Sequence, residues 1–174
     1  MEKQVVFVAA LVAIAAGVCA ASESRPKAKG SIEEFKLYTK CVGVSLVVEH
    51  KSQGAEETGL KRKQIIAAVE TRLRSAGLFQ SSFFGFSEGS VVFQPHLYMH
   101  VNVIGQSFCI LLELKKWVHE PLSGQLNYSQ TWRTETSGVH GTSSRSIMAS
   151  VHDLTDQFID EWNKVNKRDG KCVE

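Results

Sequence analysis

The stretch HLYMHVNVIGQSFCILLELK (96–115) decides the fold of this chain. In both of its halves every second residue is apolar, which is the period of a β-strand with one buried face. Gly105-Gln106, between the halves, has the length of a tight hairpin turn. The stretch therefore predicts two antiparallel strands. The residues expected to point inward are Leu97, Met99, Val101, Val103, Phe108, Ile110, Leu112 and Leu114.

The segments on either side of this hairpin extend the predicted sheet. A turn with the sequence PLSG (121–124) precedes a third strand, expected over 126–135. Upstream, residues 41–48 alternate in the same way, which predicts another strand that begins at Cys41. Its inward residues are expected to be Val42, Val44, Leu46 and Val48.

Two segments have the period of an amphipathic helix. Residues 60–77 carry apolar side chains at helical spacing, and Gly77 follows where a left-handed residue would end the helix. The stripe over 144–166 is stronger and consists of Ile147, Val151, Leu154, Phe158, Trp162 and Val165. We therefore predict an α+β two-layer sandwich in the order β-α-β-β-β-β-α. Its antiparallel sheet has about four to five strands, with both helices packed on one face.

The N-terminus indicates where the protein works. Charged residues precede an apolar run that ends in small residues near Ala20, which is typical of a secretory signal peptide over 1–20. Cleavage before Cys19 with lipidation is an alternative, disfavoured because Val18 stands where that enzyme requires a smaller residue. An uncleaved anchor is disfavoured because the run is too short to span a bilayer. We expect an exported protein, periplasmic or extracellular, with no stable membrane span after cleavage.

The rest of the chain has the length of one domain. Small, polar and charged residues over 21–36 predict a flexible tether, 37–168 a single α+β domain, and 169–174 a C-terminal tail. The formal net charge of +2 over 174 residues gives no reason to expect a nucleic-acid partner.

Three cysteines follow the predicted cleavage site: Cys41, Cys109 and Cys172. An oxidising compartment would permit a disulfide, and the odd number leaves at least one thiol over. Strand parity places Cys41 and Cys109 on the same outer face, so they could pair if their strands are neighbours. A bond from Cys41 to Cys172 is the alternative, and independent thiols are a third possibility.

No residue pattern specifies a metal, a cofactor or a catalytic centre. The cysteines lack a CxxC pair, and His96 and His100 would lie about 13 Å apart along a strand, too far to share one ion. The tract SGVHG (137–141) holds a serine and a histidine but lacks the GxSxG elbow of hydrolases. We assign no catalytic residue, and whether the protein is an enzyme stays open, with the balance against it.

The segment 78–94 contains five of the nine phenylalanines of the chain. Part of this segment is predicted to be a strand or a strand pair of the sheet. Serine and glycine are interleaved with the phenylalanines over 81–89, where we predict a loop that exposes aromatic rings. Exposed aromatic surface often marks a docking site. Phe83, Phe84 and Phe86 are therefore our candidates for contact with a protein partner. The alternative is that these rings fill the core or its edge.

Four segments carry a family resemblance: TRLRSAG (71–77), PHLYMHVNV (95–103), TW (131–132), and DQFIDEWN (156–163) followed by Asn166. In this order they resemble a group of short secreted bacterial proteins of unknown function. The resemblance covers most of 42–166 and implies a bacterial, exported protein. It implies no catalytic residue, because the matching positions are those of turns and packing.

Two analogies at the level of the fold suggest functions. The predicted layers are similar to the accessory domains of bacterial envelope-assembly lipoproteins, which bind other proteins. They are also similar to the cystatin-like fold of secreted protease inhibitors, although the Q-x-V-x-G signature is absent and the second helix is additional. We expect a non-enzymatic protein-binding or envelope-accessory module. A secreted hydrolase and a cystatin-like inhibitor are the alternatives.

Overall fold

The computed structural model describes residues 31–53, 58–81, 84–87, 90–141, 143–168 and 170–172. They form an α+β fold, which confirms the predicted class. The predicted signal peptide and the first part of the tether lie outside the described residues. The elements in chain order are α1 Ser31–Leu37, β1 Ser45–Gln53, α2 Arg62–Ser75, β2 Phe84–Ser87, β3 Ser90–Phe93, β4 His96–Ile104, β5 Ser107–His119, β6 Leu126–Val139, α3 Arg145–Asn166, β7 Lys167–Arg168 and β8 Lys171–Cys172.

The main sheet has four strands in the order β1-β4-β5-β6. The strands β4, β5 and β6 are antiparallel neighbours, as their alternating sequence predicts. The prediction of an antiparallel sheet is wrong for β1, which runs parallel to β4 with Ser45 opposite His96. The physical reason is the crossover through α2, because a helix between two strands returns the chain to the same end of the sheet.

The core lies between one face of this sheet and the helices. The predicted inward residues of β4 and β5 are all buried, which confirms the alternation. Helix α2 contributes Ile65, Val69 and Leu73, and α3 contributes Ile147, Val151, Leu154, Phe158 and Trp162. Both helices therefore pack on the same face of the sheet, as predicted.

Residues 84–93 differ from their prediction. The strands β2 and β3 form a two-stranded hairpin of their own, which is not part of the main sheet. Phe84 is in register with Phe93, and Phe86 with Val91. The loop predicted over 81–89 is therefore wrong for 84–87, because the strand partners lie three to nine residues further along the chain and supply the backbone hydrogen bonds.

The ends of the described chain meet at one place. Helix α1 occupies the end of the segment predicted to be a tether, and its last residue, Leu37, is buried in the core. The side chain of Asn166, fully buried at the end of α3, fastens the segment that follows α1. Its Oδ1 accepts a hydrogen bond of 2.8 Å from the Thr39 amide, and its Nδ2 donates one of 2.9 Å to the Leu37 carbonyl.

A disulfide joins Cys41 to Cys172 next to this junction, with a Cα–Cα distance of 5.8 Å. It is one of the two pairings that the sequence leaves open. Cys41 does not belong to a strand, contrary to the prediction, because Lys40 and Cys41 have left-handed backbones and turn the chain before β1. The parity argument for a bond to Cys109 fails for that reason. Residues 171–172, predicted as a tail, form β8 against β7.

We expect the Asn166→Ala substitution to lower the free energy of unfolding by about 2–3 kcal/mol, because it leaves the Thr39 amide and the Leu37 carbonyl buried without their partner. Urea denaturation of the disulfide-intact chain would measure the effect. The matched control is Lys164→Ala, an exposed residue of the same helix. Equal stability of the two variants would contradict a junction held by Asn166.

Candidate functional site

On one face of the main sheet no helix of the described residues packs, because α1, α2 and α3 all contribute to the core on the other side. Register and side-chain contacts define this open face as Ser45, Glu49, His96, Tyr98, His100, Glu113, Lys115, Trp117 and Tyr128. Its surface is a mixture of aromatic rings and charged groups. The following paragraphs describe its aromatic end, then its charged end.

The strands β5 and β6 extend beyond the rest of the sheet. The last pair between β4 and β5 is His96 with Lys115, whereas β5 and β6 remain paired as far as His119 with Leu126. We call residues 116–129 the arm. It is a two-stranded ribbon about 13 Å long, given the rise per residue of a strand. A bulge opposite Leu114/Lys115 marks the point where it leaves the sheet.

Exposed apolar side chains are concentrated on the arm. Of the large hydrophobic residues that are exposed in the described part of the chain, four belong to it: Trp117, Leu122, Leu126 and Tyr128. Leu122, at the turn, is 97% exposed. These side chains do not serve the core of this domain. The predicted PLSG turn therefore forms the tip of an apolar projection rather than a simple connection.

An aromatic cluster joins the arm to the open face. The rings of Trp117 and Tyr128 lie 5.4 Å apart, and Tyr128 meets His96 edge-on at 5.5 Å. The ammonium group of Lys115 lies 4.1 Å from the centre of the Tyr98 ring, within the range of a cation–π contact. The cluster is therefore a continuous, preformed surface at the base of the arm.

Partial burial shifts the pKa of two groups in this cluster. The pKa of Tyr128 is raised, chiefly by burial and then by the neighbouring Tyr98 hydroxyl, so the phenol stays neutral. The pKa of His96 is lowered by burial, which favours the neutral imidazole. The Nδ1 atom of His96 lies 2.6 Å from the Ser45 hydroxyl. The His96 and Tyr128 rings are thus neutral, and they present imidazole and hydroxyl groups beside the Lys115 ammonium group.

The charged end of the open face is paired within itself. The ring nitrogens of His100 lie 3.4 Å from a Glu49 oxygen and 3.7 Å from a Glu113 oxygen, and Lys115 lies 3.2 Å from Glu113. His96 and His100 therefore contact different groups. Among the residues that the structure describes, no group of three or more His, Cys, Asp or Glu side chains is placed to hold a metal ion.

In the described part of the chain, neither Ser45 with His96 nor Ser137 with His140 forms an accessible nucleophile. Ser45 contacts His96 but is only 3% exposed, so a substrate carbonyl has no path to its hydroxyl. In the SGVHG tract, His140 is buried and its Nε2 lies 2.9 Å from the Gly105 carbonyl, where it fastens the β4–β5 turn. Ser137 lies on β6 in register with Cys109.

The base of the arm is fastened to α1 from the inner side. The buried Lys116 donates a hydrogen bond of 2.7 Å to the Tyr38 carbonyl and a second to the Phe35 carbonyl. Thr131 donates one of 2.7 Å to the Lys36 carbonyl. Burial lowers the pKa of Lys116 to about 8. These contacts use carbonyl groups at the end of a short helix to hold the arm in place.

The sequence predicts a different docking surface, formed by Phe83, Phe84 and Phe86. Phe83 lies outside the described residues. Phe84 and Phe86 lie in β2, of which the structure describes the backbone but not the side chains. The arm was missed because its apolar residues flank a turn, where no periodic pattern marks them. The available signal was Leu122 inside the PLSG turn, since an apolar residue at a turn has no core to enter.

No family model matches the chain, and no curated protein matches it. Two solved structures show a weak similarity. A rare lipoprotein B from Shewanella oneidensis is 10% identical, with a TM-score of 0.25, over 70% of this chain and 89% of that one. An uncharacterized protein is 13% identical, with a TM-score of 0.25, over 71% of this chain and 88% of that one. Neither similarity transfers a role to any residue.

Among the described residues, no helix is both long enough and apolar enough to cross a bilayer.

We expect the pKa of the His96 imidazole to lie below the ordinary histidine value of 6.5, because burial disfavours the charged form. The folded state then binds this proton less tightly than the unfolded state. Stability should fall as the pH drops from 6.5 through the folded-state pKa. Imidazole ¹H–¹⁵N NMR would give the midpoint, and the acid loss of stability should be smaller in His96→Gln. A midpoint at or above 6.5 would contradict the assignment.

Proposed function

We propose that this chain is an exported, non-enzymatic module that binds another protein through the arm and the aromatic end of the open face. The observation that carries the proposal is the concentration of exposed Trp117, Leu122, Leu126 and Tyr128 on a ribbon that projects from the sheet. Exposed apolar surface of this kind marks an interaction site when it is contiguous and rimmed by polar groups.

The composition of the arm suits a protein partner. Tryptophan and tyrosine supply large contact areas with few rotatable bonds, and they are enriched at the energetic centres of protein interfaces. Burying a leucine that is fully exposed contributes about 1.5–3 kcal/mol to association. Leu122 and Leu126 are therefore the residues whose burial by a partner gains most beside the aromatic pair.

The attachment of the arm also favours binding. Lys116 and Thr131 hold its base against α1, so the ribbon is oriented before the partner arrives. A preorganised surface loses less conformational entropy on binding than a mobile loop does. The enzymatic alternative has less support, because the Ser45 hydroxyl is buried and His140 is engaged in a turn.

The proposal of export comes from the sequence. The apolar run before Ala20 has the features of a cleaved signal peptide, and the chain resembles a group of short secreted bacterial proteins. The disulfide between Cys41 and Cys172 supports an oxidising location, because such bonds persist outside the cytoplasm. We place the working protein in the periplasm or outside the cell.

We expect the double substitution Leu122→Ser/Leu126→Ser to abolish capture of the partner while leaving the fold unchanged, because both side chains are exposed. A photo-crosslinking residue at position 122 of the full chain would identify the partner in its host. The affinity of the purified pair would then be measured. We expect it to fall more than about tenfold in the double variant, which corresponds to the loss of about 1.4 kcal/mol.

The matched control for this experiment is Ile104→Ser/Val139→Ser. These side chains are also exposed, but they lie at the opposite end of the sheet. The control variant should bind normally. Equal loss in both variants would sink the arm as the binding surface. Loss confined to a Phe83→Ser/Phe84→Ser/Phe86→Ser variant would assign the contact to the β2–β3 hairpin instead.

The proposed export has its own test. Mass spectrometry of the protein purified from its host should give a mature N-terminus at Ala21. A lipid-modified N-terminus at Cys19 would show the lipoprotein alternative instead. An intact Met1 on the protein from the cytoplasmic fraction would overturn the proposal of export.

A further inference from the structure

The two edges of the main sheet differ in whether other described residues form hydrogen bonds with their outward backbone groups. At the β1 edge, the Val44 amide donates a hydrogen bond of 2.7 Å to the Leu78 carbonyl, and the Gln80 amide donates one of 2.9 Å to the Val44 carbonyl. Further along, the Arg62 side chain donates one of 2.8 Å to the Val48 carbonyl. Three backbone groups on the outer side of this edge, at Val44 and Val48, are therefore bonded within the chain, which hinders the addition of another strand there.

At the β6 edge, no described residue binds the outward backbone groups in this way. The His140 amide donates a hydrogen bond of 2.9 Å to the Gln106 carbonyl, which makes the adjacent pair, Ser107 with Val139, a pair without mutual backbone bonds. Alternation then turns the backbone groups of Arg133, Glu135, Ser137 and Val139 away from β5. Within the described part of the chain, no residue forms a hydrogen bond with these groups.

The sequence of this edge protects it only in part. Edge strands are commonly blunted by charged side chains, above all by lysine, by proline or by a bulge. The two charges of this edge, Arg133 and Glu135, are of opposite sign. Residues 133–139 read RTETSGV, with neither lysine nor proline, and the bulge of β6 lies before them at the base of the arm. Residues 133–139 thus present backbone N–H and C=O groups at the edge of the sheet that no described residue binds.

We infer that this edge binds a second copy of the chain, with the two β6 strands antiparallel about a two-fold axis through Thr134. In this register, Arg133 of each copy lies opposite Glu135 of the other. Both residues turn their backbone groups to the free edge, so each of these two pairs is a hydrogen-bonded pair with opposite charges. The two four-stranded sheets become one sheet of eight strands.

The charge pattern selects this register over its neighbour. An axis through Glu135 would place that carboxylate directly opposite its own copy, and like charges in facing positions are destabilising. Within one chain Arg133 already forms an ion pair with Glu135. In the dimer the four groups would alternate in sign across the interface. The complementarity therefore belongs to the chain itself and needs no other partner.

The dimer leaves the proposed binding surface accessible. Pairing about Thr134 brings Trp132 opposite Thr136 of the other copy, and the bulge of β6 at Thr131 ends the regular overlap before the arm begins. The two arms point away from the axis at opposite ends of the joined sheet. A dimer of this form presents two separate copies of Leu122 and Leu126 to partners.

A charge swap on the full chain tests the interface. Sedimentation velocity over a concentration series should give a dimer for the native chain. Either Glu135→Arg or Arg133→Glu alone should weaken association by about tenfold, since two attractive pairs become repulsive. The double variant Arg133→Glu/Glu135→Arg restores both pairs and should associate like the native chain. Circular dichroism would verify that all variants are folded.

A cysteine placed on the axis tests the register. Thr134 faces its own copy across a pair without backbone bonds, where Cα atoms approach to about 4.5 Å, close enough for a disulfide. Mild oxidation should therefore cross-link Thr134→Cys, whereas Ser137→Cys, which faces residue 131 of the other copy, should remain uncross-linked. A native chain that is monomeric at all concentrations would overturn the inference, as would a dimer that is indifferent to the single charge reversals.

Discussion

The buried carboxamide of Asn166 is the contact on which the arrangement of the other elements depends. It binds the Leu37 carbonyl and the Thr39 amide, and so holds the end of α1 against the end of α3. Helix α1 in turn offers its last carbonyl groups to Lys116 and Thr131 at the base of the arm. A short helix has few internal hydrogen bonds of its own. Its position therefore depends on these external partners, and the direction of the arm depends on its position.

The disulfide acts at the same place. Cys41 and Cys172 are separated by 131 residues, so their bond removes conformational freedom from an unfolded chain along nearly the whole domain. The carboxamide and the disulfide thus join the same two parts of the chain by different means. One needs a dry, fully packed site, and the other needs an oxidising compartment. Their coincidence links the architecture of the domain to the proposed export.

The described surface divides its tasks by geometry. The helices cover the inner face of the sheet. At the β1 edge, residues 78–80 and Arg62 form hydrogen bonds with the backbone groups of Val44 and Val48. Two parts of the described surface are available for binding. The arm exposes apolar side chains, and the β6 edge exposes backbone groups that no described residue binds. The first suits a partner with an apolar surface of its own, because burial drives that contact. The second suits another strand, because register and hydrogen bonds drive it.

The sequence by itself determined the elements whose signal is local. The alternation in β4 and β5 and the apolar stripe of α3 predicted the strands, the helix and their buried faces. Hydrophobic periodicity can be recognised from residues that are close in sequence. The tertiary structure alone decided the parallel course of β1, the choice of Cys172 as the partner of Cys41, the helix α1 and the projecting arm. Each of these rests on contacts between distant residues, such as Thr39 with Asn166, 127 positions apart. No short-range period encodes such a contact, since its stabilisation exists only once the layers have packed.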